Sequence, residues 1–122
     1  MKYALSVSMN LACATIYFDR SIRHPKDNLN LDIGHLDNPG LPELFKSILN
    51  LPGVFGIVIR DQAIMVELLS SETHFEPRSS WVIIGRRIAR LIAWEHNEFI
   101  ERVSANELFP EFCQPNSSGQ YI

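Results

Sequence analysis

The stretch 41–69 constrains this chain more than any other. It reads LPELFKSILN, LPG, VFGIVIR, DQ and AIMVELL in succession. Leu41, Leu44, Phe45, Ile48 and Leu49 recur at the spacing of one buried helical stripe, which predicts a helix over 41–50. Asn38-Pro39-Gly40 interrupts the chain before it, and Pro42 suits a first helical turn, where a missing N–H costs no hydrogen bond. Glu43 places a negative charge near the positive end of the helix dipole. Pro52-Gly53 ends the helix and turns the chain. Phe55, Ile57 and Ile59 then share one parity and Val54 and Val58 the other, as in a strand apolar on both faces. Arg60-Asp61-Gln62 has the length and polarity of a hairpin connection, and a second strand follows from Ala63 to Leu69.

The N-terminal residues alternate in the manner of strands. Tyr3, Leu5, Val7, Met9, Leu11, Cys13 and Tyr17 share a parity. A single strand of that length is rare, so a hairpin turning near Asn10 is expected. Leu29, Leu31 and Ile33 alternate inside a polar loop and predict a short edge strand, with Lys26 and the neighbouring Asp and Asn residues discouraging pairing with other chains. After the polar connection 70–80, Trp81, Ile84, Ile88, Leu91 and Ile92 form a second helical stripe, widened by Val82, Ile83 and Ala93. Ser79 or Ser80 is a candidate cap for this helix.

Residues 95–109 have helical apolar spacing at Phe99, Ile100 and Val103. Ser104-Ala105-Asn106-Glu107 matches a capping box and predicts a break near Val103. The expected fold is therefore α+β: a small, mainly antiparallel sheet with two helices on one face. One domain is expected over 1–109, with 94–109 as a C-terminal helical extension and 110–122 as a flexible tail.

A chain of 122 residues is long enough for a real core, and a net charge of −3 argues against general nucleic-acid binding. No apolar run approaches the ~18 residues of a membrane span. Ser6, Ser8 and Asn10 interrupt the apolar run that a signal peptide needs, so an uncleaved, cytoplasmic chain is expected. Cys13 and Cys113 form neither a metal motif nor a disulfide framework; Cys13 is expected as a small buried residue and Cys113 as a free thiol.

The helix with Leu and Phe, the Leu51-Pro52-Gly53-Val54 turn, the two short strands and Trp81-x-x-Ile84-x-x-x-Ile88 together resemble the small N-terminal domain of NifU-related (Nfu-type) iron–sulfur scaffold proteins. The resemblance covers about residues 3–92. It implies the fold and a partner-binding accessory role. The cluster-binding domain of that family carries a Cys-x-x-Cys pair, and this chain has none, so no family ligand transfers to it and no cofactor is expected.

Three sets of residues carry the functional expectations. Arg86, Arg87 and Arg90 cluster on the second helix, Arg86 and Arg90 one turn apart, and suit a phosphate, an acidic partner or RNA. Glu95, Glu98 and Glu101 stand near enough in sequence to neutralise them. Trp94, Phe99, Ile100 and Phe109 lie beyond the family-like core and need a second surface: a homodimer, a higher closed oligomer, or their own domain. His74-x-Glu76, His35-x-Asp37 and Glu95-His96 have donor atoms for a metal, but zinc needs three or four converging ligands, and ordinary surface histidines are expected. No phosphate loop or nucleophile elbow is present. These residues favour a non-enzymatic interaction module. The competing expectations are a small-molecule pocket or small enzyme between the sheet and the C-terminal helices, and weak nucleic-acid binding at the arginines.

Overall fold

Alternating apolar residues in the first and central thirds of the chain form five strands of one sheet, and the short pair Glu101–Arg102 adds a sixth. The computed structural model describes residues 1–8, 12–22, 29–69 and 77–108. The elements run β1 (Lys2–Val7), β2 (Cys13–Phe18), β3 (Leu29–Asp32), α1 (Glu43–Leu49), β4 (Val54–Ile59), β5 (Ala63–Leu68), α2 (Pro77–Glu95), β6 (Glu101–Arg102) and α3 (Ala105–Leu108). Strand order is β3-β4-β5-β2-β1-β6. Every pairing is antiparallel except β1 with β6, which is parallel. The fold is α+β, as the sequence leads one to expect. The predicted turn near Asn10, the pair His74 and Glu76, Phe109 and the segment 110–122 with Cys113 lie outside the described residues.

Register assigns each strand a core face. Leu31 and Ile57 pair, as do Ile59 and Ile64, Ile64 and Ile16, and Phe18 and Tyr3. Paired residues project to the same side. All of these are buried, and they form one cluster with Ile48 and Leu49 of α1 and Trp81, Ile88, Ala89 and Ile92 of α2. Both main helices therefore cover one face of the sheet.

Two parity readings are corrected by local geometry. A hairpin reverses the chain between β1 and β2, so Ala14, Ile16 and Phe18 face the core and Cys13, Thr15 and Tyr17 do not. Cys13 is half-buried on the open face. In β4, a bulge between Val54 and Gly56 lets Val54 share the core face with Ile57 and Ile59, and leaves Phe55 exposed. A Cβ on Gly56 would lie 3.1 Å from the Leu31 carbonyl oxygen, a tight contact that would press on β3, so the close approach of the two strands favours glycine there. Gly53 has φ 85°, the left-handed conformation that turns the chain from α1 into β4.

The helix boundaries also shift. Pro42 caps α1 rather than opening it. α2 begins at Pro77, so Ser79 and Ser80 lie inside the helix instead of capping it. Val82 and Ile83 are exposed and do not widen the buried stripe, whereas Ala93 is buried. No described helix is long and apolar enough to cross a membrane.

The expected helical extension over 94–109 is corrected most. Asn97 adopts φ 55°, its N–H donates to the Trp94 carbonyl at 3.1 Å, and the Glu98 N–H donates to Ala93 at 3.0 Å. This pair of bonds is a Schellman termination of α2, with asparagine in the left-handed position. The chain then runs along the free edge of β1. Met1 donates to the Phe99 carbonyl at 2.8 Å, Glu101 donates to Met1 at 3.0 Å, and Val103 donates to Tyr3 at 2.8 Å. An edge offering unpaired backbone groups outweighs the helical spacing of Phe99, Ile100 and Val103. A break does fall by Val103: Ser104 accepts the Glu107 N–H at 3.4 Å, and the single turn of α3 follows and packs on β1.

Candidate interaction groove

The Schellman turn that ends α2 also makes a groove. It brings 97–100 back beside the last turns of the helix, leaving an open depression of about 610 Å³ lined by Arg86, Arg90, Trp94, Asn97, Glu98, Phe99 and Ile100. Arg86, Arg90 and Trp94 follow i, i+4, i+8 spacing, so one face of α2 supplies one wall. Two sets of residues that sequence spacing leaves separate, the basic cluster and the surplus apolar residues, thus meet at one site. Arg87 is exposed but lies outside the lining.

The rim is aromatic and wet. Trp94 is 74% exposed and Phe99 96% exposed. Ile100 behaves differently: it is partly buried and packs against the core while also lining the groove. Its position follows from the parallel pairing of the next residues with β1.

A third arginine, Arg102, is exposed and lies outside the lining. Arg102 pairs with Tyr3 across β1 and β6, so it projects to the helix-covered face. Burial pushes the Tyr3 phenol up from its ordinary value, and the guanidiniums of Arg102, Arg86 and Arg90 pull it part of the way back. Among the described residues, none of Arg86, Arg87, Arg90 and Arg102 forms an ion pair. Glu98, expected to neutralise the cluster, instead pairs with Arg20 and lies 3.4 Å from the Met1 nitrogen. Sequence reasoning misses Arg102 because only strand pairing brings it beside Tyr3. It misses the role of Arg20 because the Arg20–Glu98 pair spans most of the chain.

The remaining candidates have local explanations. His35 serves a backbone cap: the Asp32 N–H donates to its Nδ1 at 3.1 Å, so its partner is Asp32 rather than Asp37. Glu95 and His96 border a second open cleft of about 630 Å³, whose walls include Ile22, Leu44 and Phe45. No three His, Cys, Asp or Glu side chains converge among the described residues. The Cys13 thiol is pushed up by burial and then by the nearby Glu67 carboxylate.

No family model matches the chain, and no curated protein or solved structure matches it.

Proposed function

We propose that the protein is a non-enzymatic protein-interaction module whose working surface is the α2–β6 groove, and that it self-associates through the groove's aromatic rim. The observation carrying this reading is the exposure of Trp94 and Phe99, 74% and 96%, in one groove with Arg86 and Arg90, which form no ion pair among the described residues. Aromatic residues are enriched in the cores of protein interfaces, and monomers seldom leave contiguous apolar surface in water. A closed two-fold dimer is the simplest assembly that covers such a patch, because the patch then meets itself. The resemblance to the Nfu-type N-terminal domain points the same way, towards an accessory role alongside a partner.

Sedimentation velocity tests the reading. The wild-type chain is expected to sediment as a dimer. Trp94→Asp combined with Phe99→Asp is expected to give a folded monomer whose denaturation midpoint matches that of the wild type diluted below its dimerisation range, because both side chains are solvent-exposed within one copy. Ile100 is left intact, since a carboxylate there would disturb the core. A wild type that remains monomeric at high concentration overturns self-association.

A further inference from the structure

We propose that the groove binds an acidic peptide segment of a partner protein, its carboxylates held by Arg86 and Arg90, with Arg102 adding positive charge from β6, and an apolar side chain seated between Trp94 and Phe99. This rests on reading the groove as the interaction surface and names what it recognises.

The chain carries a net charge of −3, yet two exposed guanidiniums line the groove, and with Arg102 of β6 they all act on the Tyr3 phenol. None has an ion-pair partner among the described residues. The one carboxylate in the groove lining, Glu98, is engaged by Arg20. The surface is therefore locally positive because its nearest acid is drawn elsewhere. Guanidinium forks match carboxylates in paired, charge-assisted hydrogen bonds. The aromatic rim supplies the apolar contact that charge alone lacks.

The size of the site separates an acidic peptide from other occupants. Arg86 and Arg90 span one helical turn and Arg102 adds one strand position, so the positive surface is a cluster and not a track. An extended phosphate backbone needs a longer run of positive charge than this cluster offers. A second copy covers the aromatic rim, but the one carboxylate it would bring in its own groove lining, Glu98, is already paired with Arg20. An acidic segment satisfies rim and arginines together and competes with self-association.

The test titrates the intact chain into a fluorescein-labelled peptide in which glutamates flank a Leu-Phe pair, read by anisotropy, with sedimentation of the same mixtures. Binding is expected to weaken as salt rises, since the contacts are exposed charge pairs. It is expected to fall about tenfold or more with Arg86→Gln plus Arg90→Gln, or when glutamines replace the peptide's glutamates. The bound chain is expected to sediment as a one-to-one complex. Equal binding of the glutamine peptide, or undiminished binding by the arginine variant, overturns the proposal. Tighter binding of a single-stranded oligonucleotide assigns the surface to nucleic acid and also overturns it. A dimer that ignores the peptide leaves the interaction reading standing and removes the acidic partner. A monomer that ignores the peptide removes both.

Discussion

Trp81→Ala is expected to cost about 3–5 kcal/mol, the range for emptying a fully buried aromatic site. Trp81 is completely buried and belongs to the cluster that joins α2 to the sheet and to α1. No buried side-chain nitrogen or oxygen among the described residues lacks a partner, so the substitution removes packing from a satisfied interior. Against a typical domain stability of about 5–15 kcal/mol, this loss brings the chain close to its unfolding threshold. Chemical denaturation reads it as a large fall in midpoint. A fall equivalent to less than about 1 kcal/mol would remove α2 from the sheet face described above.

Ile64→Ala is expected to cost about 2–5 kcal/mol, while Met65→Ala, one residue on, costs about 1 kcal/mol. β5 lies inside the sheet between β4 and β2. Ile64 pairs with Ile59 on one side and Ile16 on the other, all fully or almost fully buried under the helices. Met65 pairs with Val58 and Thr15 on the opposite face, where burial is only partial. Because side chains alternate strictly along a strand, a register slip of one residue would exchange the two costs. Comparable losses measured for the two variants would contradict the register.

Those two residues also show which parts of the fold are legible in the sequence. The helix–turn–hairpin at 41–69 can be read because Pro and Gly mark its boundaries and its apolar period changes from helical to alternating. Face assignment fails where an insertion changes the count. The bulge at Val54 and Gly56 and the hairpin between β1 and β2 each reverse the apparent parity of residues beyond them. Neither leaves a signal in apolar spacing. The segment after Glu95 fails for a different reason. Phe99, Ile100 and Val103 have helical spacing, but β1 offers them an unpaired edge, and tertiary pairing decides the outcome. Asn97 is a local signal for the change, since asparagine is the commonest residue after glycine to end a helix in the left-handed conformation.

The groove is legible only in pieces. Helical spacing places Arg86, Arg90 and Trp94 on one face of α2 and leaves Phe99 surplus to the core. Spacing does not bring Phe99 back beside the arginines, because that depends on the turn at Asn97. Nor does it show that Glu98 is taken by Arg20 or that Arg102 lies opposite Tyr3. Both are long-range contacts that exist only once β6 has docked.

Trp94 emission, followed across a wide range of protein concentration, tests the interaction surface most directly. The chain has two tryptophans, and Trp81 is buried whether or not copies associate, so any concentration-dependent change reports Trp94. The account predicts a shift to shorter wavelength as concentration rises and the indole leaves water, in step with dimer formation by sedimentation. It also predicts that Phe99→Asp abolishes the shift. Emission that stays constant while the chain dimerises would place the interface elsewhere and contradict the account.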